Sequence, residues 1–403
     1  MSPTNRVSEA SILFDGSRLT LARQLARLRK SELATLVGKS PTAIAAWESG
    51  AKRPTPANVA QLALGLGVDP GFFVARSDDF AAISGVPHFR SLRATTQIAR
   101  DQAFAYGQMA LDVATGLERH VELPEVDIPS HPVEVDDTTD APEQAAREVR
   151  RAWGLGDGPI KHMIRELENH GVIVVFSPIQ AATVDAYSFE ARVRPIVVLN
   201  PIKRDYYRQR FDVAHELGHL VMHGDAEPGS RAIEDQANRF AAEILMPAGG
   251  IEHLLPTAMN RSAWVALARQ KEHWGVSLQA LLFRARRLGR LGDVSYRNAM
   301  VTLTSRGWRR DEPGIATLIE QPSLLPRAVE LLEQAGVHES ELVDECRIPI
   351  DLFRTVTARN PAQSEPTLSN ETRTALSILE TSEPTKDNSQ HPSGLTQEVE
   401  PHV

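Results

Sequence analysis

The sequence predicts a multidomain chain: an all-α N-terminal domain, an α+β domain with a small sheet, a mostly helical C-terminal region and a disordered tail. Three observations carry this. Apolar residues recur at three- and four-residue steps from Arg18 to Phe73, the period of packed helices. Three short β-branched or aromatic runs, VIVVFSP, VDAYSF and PIVVLN, fall between residues 172 and 200. Beyond Pro361 the chain is dominated by Ser, Thr, Pro, Glu, Asn and Gln, with too few apolar residues to offset the entropy of ordering.

The boundaries follow as 16–75 for the helical N-terminal domain, 76–139 for a helical connector and acidic linker, and 140–260 for the α+β core. A mostly helical subdomain takes 261–359, and the tail takes 360–403. With 403 residues, 42% of them hydrophobic and 24% charged, the composition is that of globular domains. The net charge of -8 argues against nucleic-acid binding over the whole surface but leaves room for a local basic module. The one cysteine, Cys346, excludes an internal disulfide and reads as a buried structural thiol in a reducing compartment. No run approaches the roughly 20 apolar residues that span a bilayer. The polar start MSPTNRVSEASILF lacks a secretory signal, so a cytoplasmic protein with no membrane partner is expected.

In RKSELATLVGKSPTAIAAWESGAKRP one helix ends near Gly38 and the next begins with Ser40 as N-cap and Pro41 in its first turn. Glu32-Leu33-Ala34, Gly38, Ile44, Trp47-Glu48, Gly50 and Pro54 give residues 18–73 a pattern that resembles the lambda-repressor-like (XRE) helix-turn-helix. Basic residues outnumber acids there, as phosphate binding requires. Lys30, Lys39, Ser40, Thr42, Lys52 and Arg53 are the candidate DNA contacts, and reading two half-sites implies a homodimer. Thr42, Ala43, Ala45 and Ala46 are too short for bidentate base contacts, so modest sequence specificity is expected.

Further along, a helix is expected from Pro142 to Trp153 with Asp140 as N-cap, and another from near Pro159 to Gly171. The strand candidates follow, then two helices, DYYRQRFDVAHELGHLVMH and AIEDQANRFAAEILMP. The first holds His-Glu-x-x-His. Residues i and i+4 lie one above the other on a helix, so His215 and His219 can aim two imidazoles at one ion, with Glu216 placed to reach a metal-bound water. A catalytic zinc needs a third protein ligand and an open position. Met222 and Asp225 exclude the extended motif with a third histidine, and His223 lies a turn too far, which suits it to packing. Among Glu234, Asp235 and Glu243 on the next helix, Glu234 shares a face with Ala237, Asn238 and Ala241, small or polar residues that permit close approach.

These paired motifs resemble the ImmA/IrrE family of bacterial and phage metallopeptidases. The likeness extends upstream to AREVRRAWGLGDGPIKHMIRELENHGVIVVFSP and downstream through WGVSLQALLFRARRLG, covering roughly residues 140 to 310. It implies a zincin-like peptidase domain with Zn2+ held by His215, His219 and Glu234, and Glu216 as catalytic base. By the same resemblance the protein substrate is a helix-turn-helix repressor. Tyr187, Tyr206, Tyr207 and Arg210 are candidate donors to a developing oxyanion. Arg284, Arg286, Arg287 and Arg290 read as a solvated charged face.

Overall fold

The computed structural model describes residues 3–74, 88–89, 96–178, 186–189, 194–202, 205–224, 230–309, 312–314 and 318–360. The tail expected to be disordered lies outside these residues beyond Asn360. The N-terminal domain consists of α1 (Pro3–Ile12), α2 (Gly16–Leu25), α3 (Lys30–Leu36), α4 (Pro41–Glu48), α5 (Pro56–Leu66) and a 3-10 turn over Pro70–Phe73. The turn between α3 and α4 forms as the residues dictate. Gly38 takes the left-handed conformation at φ 62°, and Lys39 N–H returns to Ala34 O at 2.8 Å, closing the helix end. Ser40 then accepts the Ala43 N–H at 3.2 Å ahead of Pro41. Leu19, Leu33, Ile44, Trp47, Val59 and Leu62 fill the space between these helices.

A two-residue strand, β1 (His88–Phe89), precedes the long helix α6 (Gln97–Glu118). Of the helical connector expected within 76–139, His88–Phe89 is strand, helix is described from Gln97, and residues 75–87 and 90–95 lie outside the described residues. Most of α6 is buried, so the segment read as a connector contains a core helix. Gly107 explains how closely α6 approaches the sheet: a Cβ there would lie 2.1 Å from the Phe189 ring.

Next come α7 (Ala141–Ala152), α8 (Met163–Asn169), β2 (Ile173–Phe176), β3 (Ala186–Phe189) and β4 (Ile196–Leu199). The strands lie in the order β1-β3-β4-β2; β3 runs antiparallel to both neighbours, and β2 is parallel to β4. Every residue of β2, β3 and β4 is buried because both faces are covered, which is why these strands read as continuous apolar runs. Side chains alternate across the pleat. Ile173, Val175, Tyr187, Phe189, Ile196 and Val198 join the α6 side, while Val174, Phe176, Ala186, Val197 and Leu199 join the other.

On that other side lie α9 (Tyr206–Met222), α10 (Arg231–Leu245), α11 (Ala248–Ile251), α12 (Arg261–Trp274), α13 (Leu278–Arg287) and α14 (Asp293–Ser305). The last helices, α15 (Leu324–Gln334), α16 (Glu339–Cys346) and α17 (Ile350–Val356), return to the α6 side. The region read as one C-terminal subdomain is thus shared between two cores. Cys346 is buried, its sulfur against Gly116 of α6, as a structural thiol would be. Arg284 corrects the reading of a solvated basic face. It is buried, bonded to the equally buried Glu243 carboxylate and to Met246 O at 3.0 Å. Arg286 and Arg287 are exposed.

Candidate functional site

Helix α9 begins under the Asp205 carboxylate, which caps Tyr207 N–H and Arg208 N–H at 3.0 and 3.2 Å, and runs buried between the sheet and α10. Its companion α10 begins under Ser230, whose hydroxyl accepts the Ile233 N–H at 3.1 Å. Helices α9 and α10 pack closely, such that a Cβ at Gly218 of α9 would lie only 3.0 Å from the Phe240 ring of α10, while Ala237 and Ala241 are fully buried. That closure brings Glu234 to the histidines. His215 Nε2 and His219 Nε2 lie 3.0 Å apart, and the Glu234 carboxylate is 3.3 Å from the first and 3.7 Å from the second. One ligand atom from each of the three lies within 4.8 Å of the others, and no second group of this kind occurs among the described residues. The histidines are buried and Glu234 is partly exposed. Asp235 is exposed, and Glu243 is held by Arg284, so neither competes for this position.

The outward nitrogens are held as well. His215 Nδ1 meets Asn238 Oδ1 at 3.2 Å. His219 Nδ1 meets His223 Nδ1 at 3.1 Å, His223 Nε2 meets Gln236 Oε1 at 3.0 Å, and Gln236 Nε2 donates to Glu134 O at 2.8 Å. Because the Gln236 amide nitrogen donates to a carbonyl, its oxygen faces His223 as acceptor. A proton on His223 Nε2 then leaves Nδ1 to accept from His219 Nδ1, which turns the His219 Nε2 lone pair inward. Two imidazole nitrogens, each ring held from behind, and a carboxylate fit the three protein ligands that a catalytic zinc site needs.

Glu216 is fully buried, and its Oε2 accepts a hydrogen bond from Ser188 Oγ at 2.7 Å. Ser188 lies on β3, two residues from Ala186 and on the same face of the sheet. Reading the sequence missed it, and the signal was a hydroxyl inside an otherwise apolar buried strand. The missed roles of Gln236, Asn238 and Glu134 O become visible only once α10 is docked. Two of the suggested oxyanion donors are engaged elsewhere. Tyr187 donates to Ala103 O at 3.2 Å, and burial raises the pKa of its hydroxyl well above normal. Arg210 is buried against Gly275 O at 3.0 Å, Ile160 O at 2.7 Å and the Glu320 carboxylate. Tyr206 lies beneath the Arg210 guanidinium, and Tyr207 beneath Lys271 Nζ. A cleft of about 420 Å³ lies alongside, lined by Arg208, Phe211, Asp212, Asn238, Phe283 and Tyr296.

On the N-terminal domain, Lys30, Thr42, Lys52 and Arg53 are exposed and Lys39 is partly so. Lys30 pairs with Glu48 at 3.1 Å, and the Ser40 hydroxyl caps α4. No helix among the described residues is long and apolar enough to cross a membrane.

Comparison with known families agrees with this layout. Residues 19–73 match the family model described as a helix-turn-helix, and residues 167–286 match the one described as an IrrE N-terminal-like domain. No curated protein matches the chain. The second match contains the whole cluster from His215 to Glu234. The chain therefore joins an XRE-type helix-turn-helix, a DNA-binding domain of regulators, to an ImmA/IrrE-like domain with a metallopeptidase-type fold.

Proposed function

We propose that this chain is a zinc-dependent endopeptidase and transcriptional regulator that cleaves a helix-turn-helix repressor protein. The observation that carries the reading is the convergence of His215 Nε2, His219 Nε2 and the Glu234 carboxylate beside a Glu216 carboxylate held by Ser188. These three residues would hold the ion. Zinc bound there would supply Lewis acidity, lowering the pKa of its water and polarising the scissile carbonyl. Glu216 takes the water proton and delivers it to the leaving amine, the work of a general base that becomes a general acid. Ser188 fixes the rotation of that carboxylate, and the Asn238 and Gln236 contacts fix the two imidazole rings. On the N-terminal domain, Lys39, Thr42, Lys52 and Arg53 offer side chains to DNA, with Lys30 beside them, and a homodimer would read two half-sites.

The test is metal content of the purified full chain. Wild type should carry about one zinc per chain, His215→Ala should lose it, and Glu216→Gln should keep it. No bound zinc in wild type, even after refilling under reducing conditions, would sink the peptidase reading. A finer expectation concerns Gln236→Ala. Removing the acceptor that orients His223 should weaken zinc affinity by about 10–100-fold without altering the ligands themselves, as read by competition with a chromogenic chelator. Unchanged affinity would mean the histidine chain has no orienting role.

A further inference from the structure

The cleft of about 420 Å³ meets the histidine cluster through one residue. Asn238 lines the cleft, and its Oδ1 reaches His215 Nδ1 at 3.2 Å, on the side of the ring away from the converging Nε2 atoms. His215, Glu216, His219 and Glu234 are not among its walls. The walls combine aromatic surface with polar groups that no protein atom satisfies. Phe211 of α9, Phe283 of α13 and Tyr296 of α14 supply the rings. Among the described residues, four lining groups have no hydrogen-bond or ion-pair partner: the Asn238 amide nitrogen, the Gln279 side-chain amide, the Tyr296 hydroxyl and the Arg309 guanidinium. Arg309 is held in place by its carbonyl, which accepts from the Arg208 guanidinium. Rings with a few convergent polar groups, around a volume of this size, are the usual make-up of a small-molecule site.

We infer that this cleft binds a small aromatic carboxylate, and that its occupancy is passed to the metal centre through Asn238. The charge of the walls selects the ligand. Arg208 already pairs with Asp205 at 3.5 Å, and Asp212 places a carboxylate in the wall, so Arg309 is the cation left for a ligand. A guanidinium fork matches one carboxylate, whereas a phosphate dianion would bring a second negative charge towards Asp212. The four unpartnered groups are mainly donors, which suits an acceptor-rich anion, and the three rings suit a planar body. A ligand atom that accepts from the Asn238 nitrogen fixes the amide with its oxygen on His215. The occupant would thus steady one of the two imidazoles without touching the ion. That link, unlike the site itself, rests on the zinc reading. By linkage, the factor by which the ligand tightens zinc is the factor by which zinc tightens the ligand.

The test is calorimetric titration of the full chain, metal-free and zinc-loaded, with 2-naphthoate as the probe. At ordinary efficiency per atom, a ligand of this size should bind the metal-free chain with a Kd of about 1 mM or tighter. Arg309→Ala should weaken it about tenfold or more, and Tyr296→Phe, which removes only a hydroxyl, about threefold. The neutral analogue 2-naphthamide should bind about tenfold more weakly, and inorganic phosphate should not displace the probe. No binding at about 1 mM, equal binding by Arg309→Ala, equal binding of the amide, or displacement by phosphate each overturns the site. Zinc should tighten the probe about fivefold or more, and Asn238→Ala should abolish that difference. Equal affinity with and without zinc overturns the link. A chain that takes up no zinc sinks the peptidase reading and the link with it, while binding by the metal-free chain still decides the site.

Discussion

Glu216→Gln should lower repressor cleavage by about 10²–10⁴-fold, the range contributed by a positioned general base, while leaving the fold and bound zinc in place. Glutamine keeps the length of the side chain, and its amide oxygen can still accept from Ser188 Oγ, now 2.7 Å from the carboxylate. What it loses is the ability to hold a proton between attack and departure of the amine. The measurement is intact-mass analysis of helix-turn-helix repressors from the same cell after incubation with zinc-loaded wild type or variant. Cleavage by the variant within about threefold of wild type would remove Glu216 from the chemistry. Ser188→Ala separates positioning from proton transfer. It leaves the carboxylate present but less fixed, so it should cost about tenfold, largely in kcat, and Ser188→Thr, which restores a hydroxyl, should recover part of that loss.

Asp112→Ala should destabilise the chain by about 3–5 kcal/mol, the cost of leaving one member of a buried ion pair without the other. Arg18 of α2 meets Asp112 of α6 at 2.7 Å, with side chains 5% and 2% exposed. Arg18 Nε also donates to Phe72 O at 3.1 Å, and Gln108 Nε2 donates to the other Asp112 oxygen at 3.1 Å. Removing the carboxylate leaves the Arg18 guanidinium buried at the joint between the helix-turn-helix and α6 with Phe72 O and the Phe72 ring as its contacts. Denaturant unfolding of the full chain gives the number. The pair Arg18→Met/Asp112→Leu should be far less damaging than Asp112→Ala alone, because no charge is stranded. A cost below about 1 kcal/mol for Asp112→Ala would mean that the joint is wet or held by other contacts.

What was legible in the sequence depended on how local the determining physics is. The α3–α4 turn could be read because Gly38, Ser40 and Pro41 act within a few residues of themselves. His215 and His219 share one helix, so their spacing alone brings them together. Helical phase singled out Glu234, and its carboxylate does lie beside the His215 and His219 imidazoles. Ser188 was not, because its meaning depends on which face of β3 meets α9. Arg284 was misread because a basic residue in a last helical turn looks solvated until a distant carboxylate, Glu243, is brought against it. Strand β1 could not be foreseen, since two residues carry no periodicity and their partner lies near residue 188. The burial of α6 was missed because its alanines and glycines look weakly apolar, yet they are what lets the helix lie flat under the sheet.

One apolar core runs without a break from Leu19 and Trp47, along Tyr106 and Met109 of α6, to Val175, Phe189 and Val198 on the sheet. If the proposed function holds, an operator and whatever occupies the zinc centre are ligands of one compact unit, and linkage makes any coupling between them mutual. Any factor by which DNA tightens or loosens the peptidase centre must be returned, unchanged, as a shift in affinity for DNA. Under the proposed function such a chain needs no separate messenger between its two sites, and its promoter occupancy would report, at equilibrium, on the state of the zinc centre.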